Sequence, residues 1–515
     1  MVLHILNHVI ISQNRIQKHD RRIREILRKE EIEAQEEEAL REKQASNKKK
    51  KQRKLATTDS IPQPTLPKET QAQWRDQGYV RPKVLILLPT RGTCHTLLQK
   101  MIKLVGDGSI IENQDRFHKE FGPIDSKIHD ENVDDAENRR LKVLESKGKE
   151  WNDLFGENVN QDDEFKIGVS LSSNTRKSTK KLQQKNGLLM KLYTDFYQSD
   201  IIFASPLGLK MTIESKEDND CDFLSSIEIC MVAHSDVLLM QNWEHLISVL
   251  DFINLQPKCL NSTDFSRVRY PLLEGQGVYW RQLIIVSNMS NADIAYTFKH
   301  HSKSISGQMK IRRMVPLKEA SICDVLVKVK QIFQRIPCHS VASQDDDRLK
   351  YFAKKILPQI LRMNQKHTLI YIPSYFDFVA IRNLLTKQEA SFVSVTEYAR
   401  VSEVSRGRAR FHQGRKNIML YTGRAHFFQR HQIKGITHLV FYGLPEHADF
   451  YPDLIHMVKD SRSNDALPED QNQINSPASC LVLYTKYNAH EMERIVGTEN
   501  CARMIQGTKN TYLFC

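Results

Sequence analysis

The chain has 515 residues, 40% of them hydrophobic and 27% charged, with a formal net charge of +13. That length exceeds one ordinary core and predicts two or three globular units plus extensions. The surplus of cations suits either a polyanionic partner or a mildly basic, solvated surface. Nine scattered cysteines without a C-x-x-C pair argue against a disulfide scaffold or a thiolate metal site. No apolar run approaches the ~18 residues of a membrane span, and the opening MVLHILNHVI lacks a basic signal-peptide region. The expectation is an intracellular, metal-free protein with no membrane association.

In chain order, Leu6, Val9, Ile10, Ile16, Ile23, Ile26 and Leu27 recur at helical spacing, after which Glu30 to Arg41 is nearly all charged. One helix running from docked to solvated is predicted. Lys48 to Lys54 and the Pro-rich Ile61 to Pro67 follow as a basic connector, read as a spacer, a nuclear-import signal or a phosphate-binding arm. Val84 to Leu88, bounded by Pro82 and Pro89, reads as a buried strand of a parallel sheet, and Thr90-Arg91-Gly92 turns it into a helix. Asp115 to Glu164 is rich in Asp, Glu, Asn and Lys and reads as a polar, loosely packed insertion over about 113–164. Phe165–Leu171, Ile201–Ala204, Ile227–Val232 and Leu283–Val286 are short apolar runs separated by helical stretches, and that is βα repetition. After a polar link near His300 to Arg313 the rhythm returns at Thr368–Ile372, Phe392–Val395, Asn417–Tyr421, His438–Tyr442 and Cys480–Tyr484. The predicted organisation is an N-terminal helical and basic extension (1–77), a first α/β lobe (78–300), a linker (301–318) and a second α/β lobe (319–515).

A two-lobed nucleotide motor needs G-x-x-x-x-G-K-[ST] to cradle phosphates, adjacent carboxylates at a strand end to hold the metal, and an arginine from the second lobe. No such glycine loop occurs. The one Gly-Lys pair is Gly148-Lys149 within the insertion, and nothing before Gly78 is glycine. Where the carboxylates are due, the strand ends in Ala233-His234-Ser235-Asp236, and only the last position is acidic. His234, with no metal or phosphate pocket beside it, reads as a packed or surface histidine. After His438–Tyr442 and Gly443-Leu444-Pro445, the segment Tyr451 to His456 contains no arginine.

Together these segments resemble a DEAD-box RNA helicase core stripped of its ATP site, and more narrowly the digestive-organ-expansion-factor family, helicase-like nucleolar proteins of the small-subunit processome. The match is carried by LNHVI at Leu6, RPKVLILLPTRG at Arg81, YTDFYQSDIIFASPLGL at Tyr193, DFLSSIEICMVAHSDVLLMQNWEH at Asp222 and the run from Arg408 to Tyr451. It spans Leu6 to about Arg503. The resemblance implies two tandem RecA-like lobes, no enzymatic activity and no cofactor. It also implies a nuclear, nucleolar role in pre-rRNA processing toward 18S rRNA, with pre-ribosomal RNA, small nucleolar RNA and processome proteins as partners. Family members begin with a long acidic region, so this chain reads as truncated, with room for a degenerate nucleotide loop upstream of Met1. An active RNA-dependent ATPase and a pure protein-interaction scaffold are the competing readings.

By the same resemblance, Thr90-Arg91-Gly92, Ser205-Pro206-Leu207-Gly208 and Thr422-Gly423-Arg424 stand where helicases grip the RNA backbone through helix N-termini, hydroxyls and guanidinium groups. Each motif alone is also what ends a strand in any α/β protein. Arg406, Arg408, Arg410, Arg415 and Lys416 form a basic cluster around Phe411, suited to phosphate or to plain solvation. Trp243 reads as core packing rather than a base platform, and Tyr371, Tyr375, Phe376 and Phe378 read as aromatics that close the second lobe.

Overall fold

A computed structural model describes residues 1–48, 74–106, 109–124, 147–156, 158–174, 187–215, 221–259, 263–362, 367–458 and 478–514. The chain forms two compact units: residues 1–288 with 292–309, and residues 289–291 with 310–515.

The first unit is built on strands β1 (Val84–Leu87), β2 (Ile110–Glu112), β3 (Lys166–Asn174), β4 (Gly187–Thr194), β5 (Ile201–Ala204), β6 (Ile229–Val232) and β7 (Gln282–Ile285). Their order in the sheet is β2-β4-β3-β5-β1-β6-β7. β1 pairs in parallel with β5 on one side and β6 on the other. Its run is apolar throughout because both faces are covered: Val84, Ile86 and Leu88 point into one core, Leu85 and Leu87 into the other.

The helices used below are α1 (Val2–Lys48), α2 (Arg91–Val105), α3 (Gln114–Phe121), α4 (Lys149–Phe155), α5 (Pro206–Glu214), α6 (Ser235–Met240) and α7 (Trp243–Phe252). α1 docks through Ile5, Leu6 and Val9, which join the core formed by one face of β1. Its polar side is also tied down. His8 Nε2 lies 2.8 Å from Glu228 Oε2, and His19 Nδ1 lies 2.8 Å from Asp76. Glu228 is further approached by Arg269 at 3.0 Å and by the buried Lys83 at 3.7 Å, while Lys83 also bonds Ser12 Oγ.

The structure differs from the sequence reading in three places. The sheet is mixed, since β3 runs antiparallel to both β4 and β5. The insertion is folded at both ends: α3 and α4 bury Phe117, Phe121, Trp151 and Phe155, an apolar spacing that the surrounding charge hides. β2, β4 and the second unit's first and last strands were not anticipated. The basic run beyond Lys48, the Pro-rich stretch and Cys515 lie outside the described residues.

The second unit holds β8 (Lys330–Arg335), β9 (Thr368–Ile372), β10 (Phe392–Val395), β11 (Ile418–Thr422), β12 (His438–Phe441), β13 (Ser479–Tyr484) and β14 (Thr511–Phe514). The sheet order is β10-β11-β9-β12-β13-β8-β14, parallel except for β14. Helices α8 (Tyr375–Lys387), α9 (Val401–His412), α10 (Gly423–Gln429) and α11 (Phe450–His456) follow its strands. Phe352, Ile370, Ile372, Phe378, Ile381 and Leu420 are among its core residues. Both units are therefore α/β lobes with parallel-dominated sheets, the predicted fold class. Among the described residues all eight cysteines are free thiols, and no helix is long and apolar enough to cross a membrane.

Candidate nucleic-acid interface

Each of the three strand-to-helix turns is N-capped by its own hydroxyl residue, and each is closed by other parts of the chain. Thr90 and Thr93 form a reciprocal capping box at the start of α2. The next two amides, which a phosphate would need, are already donated: Arg91 N to the Asp162 carbonyl and Gly92 N to the Asn160 carbonyl, both at 2.9 Å. The Arg91 guanidinium lies 3.0 Å from the Asp162 carboxylate, donates to the Glu164 carbonyl, and sits 5.5 Å over the Phe121 ring. Gly92 is required by this closure. A Cβ there would stand 2.8 Å from Val159 Cγ1 and 3.0 Å from the Asn160 carbonyl oxygen.

At the second turn the Ser205 hydroxyl accepts from Gly208 N at 2.9 Å, and Pro206 takes the first helical position of α5. Ser205 N donates to the Phe165 carbonyl, and a Cβ on Gly208 would meet that same oxygen at 2.6 Å. Ser205, Pro206 and Gly208 are all buried. At the third turn the Thr422 hydroxyl accepts from Ala425 N and donates to Glu397 Oε2 at 2.8 Å. Arg424 Nε stands 4.0 Å from the other Glu397 oxygen, and Gly423 is pressed against Tyr371 and Pro373. Glu397 escaped the sequence reading. Its signal was register: Val395 pairs with Tyr421, so the residues just after β10 lie beside the turn that follows β11.

The tetrad at the end of β6 carries no paired carboxylates. Ala233 N donates to the Leu87 carbonyl and Ser235 N to the Val286 carbonyl, which locks the turn to β1 and β7. His234 is exposed and has left-handed backbone geometry at φ 53°. Asp236 is buried in the first turn of α6, and burial pushes its carboxyl above the usual range, against its own backbone amide and His234. Among the described residues no cluster of three or more potential metal ligands occurs. α11 contains no arginine, yet Arg430 from the end of α10 reaches it, 3.3 Å from Asp453. Sequence spacing could not show that approach.

On α9, Arg406 and Arg410 are exposed, Arg415 just beyond it is exposed, and Arg408 is half-buried with its guanidinium on the Gln432 carbonyl. Among the described residues none of them, nor Lys416, has a carboxylate within ion-pair reach. Trp243 packs against the first unit's core and donates to Thr297 Oγ1. Of the second-lobe aromatics, Tyr371 and Phe378 close the core as expected, whereas Phe376 is 88% exposed and does not. It falls on the outer side of α8 because Phe378 and Ile381 take the inner one.

Residues 1–309 match the family model described as UTP25, NTP hydrolase-like domain, and residues 321–514 match Utp25, C-terminal domain. The chain belongs to the UTP25 family. It is 38% identical over 85% of its length to Protein NUCLEOLAR FACTOR 1 of Arabidopsis thaliana. Identity is also 38% over 87% and 86% of the chain to U3 small nucleolar RNA-associated protein 25 of Schizosaccharomyces japonicus and its Homo sapiens homolog. The chain spans 55%, 64% and 54% of those three relatives' lengths. Among solved structures, Saccharomyces cerevisiae Dbp5 bound to RNA and ADP BeF3 aligns with 84% of this chain and 77% of that one. Its 11% identity and TM-score of 0.26 add nothing to the sheet topology described above. The matching model describes the first domain as NTP hydrolase-like, and within it the end of β6 carries a single carboxylate, Asp236, after Ala233 and His234.

Proposed function

We propose that this UTP25-family chain is a non-catalytic, helicase-like component of the small-subunit processome, acting in the nucleolus in pre-rRNA processing toward 18S rRNA. It is the same family meant by the digestive-organ-expansion-factor resemblance. Its partners are pre-ribosomal RNA, small nucleolar RNA and processome proteins, in keeping with relatives named U3 small nucleolar RNA-associated protein and NUCLEOLAR FACTOR 1. The observation that carries the non-catalytic reading is the end of β6. A magnesium–triphosphate needs paired carboxylates there, and the chain presents Ala233 and an outward His234, with one buried Asp236 whose ionisation burial disfavours.

RNA contact is proposed at the strand-to-helix turns of each lobe taken by itself: Thr90-Arg91-Gly92 and Ser205-Pro206-Gly208 in the first, and Thr422-Gly423-Arg424, with Arg408 and Arg410 on α9, in the second. Arg91 stands beside Asp162 and Arg424 beside Glu397, so a phosphate has to displace a carboxylate at each turn. The test is RNA-stimulated ATP hydrolysis by the full-length protein, next to RNA recovery after crosslinking in cells. No turnover together with recovered RNA is the expected result. Turnover overturns the non-catalytic reading, and protein crosslinks without RNA favour a pure interaction scaffold.

A further inference from the structure

Two large aromatic side chains stand in solvent on one edge of the second lobe. Phe376 is 88% exposed and Tyr398 67%. They follow β9 and β10 respectively, and with β11 between them in the sheet both lie at the end that carries Thr422, Gly423 and Arg424. Tyr375 anchors this edge. Its ring meets Tyr398 edge-on at 5.1 Å and Phe378 at 5.6 Å, and Phe378 is buried in the core.

The surrounding charge is cationic on its exposed side. Arg400 follows Tyr398 by two residues, and Arg406 and Arg410 continue along α9, all three exposed. Among the described residues none of the three has a carboxylate in ion-pair reach. The acids nearby are engaged: Glu397 with Thr422 and Arg424, Asp377 with Arg348, and the exposed Glu403 with the Arg400 amide.

We infer that Phe376 and Tyr398 form a stacking shelf for unpaired bases of single-stranded RNA, with Arg400, Arg406 and Arg410 meeting the phosphates beside it. The inference deepens the RNA-binding reading above and rests on it. The choice of ligand follows from the pairing of features. An acidic peptide has use for the arginines but not for two outward aromatic faces, and a duplex keeps its bases inside its own stack. A single strand offers π-faces and phosphates together, and aromatic stacking takes any base.

The test measures binding of the full chain to a single-stranded oligouridylate of about 12 nucleotides, within the span one such surface covers. An abasic oligomer of the same length and a polyglutamate peptide serve as comparisons. Phe376→Ala and Tyr398→Ala, at positions whose side chains support no core, are each expected to weaken oligouridylate binding about tenfold. They should leave its salt dependence and the abasic affinity unchanged. Arg406→Ala and Arg410→Ala are each expected to reduce the logarithmic salt slope by about 0.7, the single-strand value per phosphate contact. Unchanged binding by both aromatic variants, with loss in the arginine variants, overturns the shelf and leaves the RNA reading standing. Polyglutamate binding that drops equally in the aromatic variants overturns the choice of ligand. No oligouridylate binding by the unaltered chain sinks the shelf and the RNA reading together.

Discussion

Replacing Glu228 by glutamine is expected to destabilise the first unit by about 3 kcal/mol above pH 5. The side chain is 18% exposed and is approached by His8 at 2.8 Å, Arg269 at 3.0 Å and Lys83 at 3.7 Å. Burial pushes its carboxyl up, but the His8 hydrogen bond and the charges of Lys83 and Arg269 outweigh it and bring it from 4.5 down to about 2. A depressed acid stabilises the fold fully above its unfolded value of 4.5, and that contribution is lost as pH falls toward 2. At ~1.4 kcal/mol per pH unit of displacement the contribution is about 3 kcal/mol, in line with the ~3–5 kcal/mol for breaking a buried pair. The assay is built into the chain. All four tryptophans, Trp74, Trp151, Trp243 and Trp280, lie in the first unit, so fluorescence excited at indole wavelengths follows that unit alone. The variant's thermal midpoint is expected to fall by about 6 °C or more at pH 7. The gap should narrow by about half as both proteins are acidified to pH 3 and close toward pH 2. An unchanged midpoint at pH 7, or a gap that persists undiminished in acid, refutes the ionic account of how α1 is held.

Gly92→Ala is expected to cost about 1–3 kcal/mol by the same fluorescence readout, because the new methyl meets Val159 and the Asn160 carbonyl and forces the α2 turn and the 158–164 segment apart; amide exchange at Arg91 and Gly92 should quicken with it. Glu397→Gln removes the carboxylate facing Arg424 while sparing the shape that Thr422 bonds. RNA affinity is expected to rise and the logarithmic salt slope to steepen by about 0.7. A slope that does not move removes Arg424 from the phosphate contacts.

The fold was legible where burial dictates composition. β1, β5, β6, β9, β11, β12 and β13 are covered on both faces, and their unbroken apolar runs announce it. β2 and β4 were not, because β2 is three residues long and only part-buried, and Leu188, Leu189, Met190 and Leu192 follow a polar tract that masked their start. β14 alternates exposed and half-buried residues at the sheet edge and, at four residues, is too short to show a period. The turns at Thr90, Ser205 and Thr422 were readable as strand-to-helix turns, and the structure adds that the hydroxyl of each caps its helix. What closes those turns was not. Asn160 reaches Gly92 across 68 residues of sequence (160 − 92) and Glu397 reaches Thr422 across 25, and only sheet order brings them together.

That closure also bears on how a ligand would reach these turns. A helix N-terminus that must admit a phosphate leaves its first amides unpaired, at a cost in stability when no ligand is bound. Here the Arg91 and Gly92 amides are satisfied by backbone carbonyls, and the Thr422 hydroxyl by Glu397. A phosphate that binds at either turn therefore competes with bonds the chain already makes. The edge of the second lobe that carries Phe376 and Tyr398 differs from these turns. Phe376 and Tyr398 keep large apolar faces in water beside Arg400, Arg406 and Arg410, which among the described residues have no carboxylate in ion-pair reach. A single strand seated on those rings covers their exposed faces without breaking a bond that the chain makes for itself.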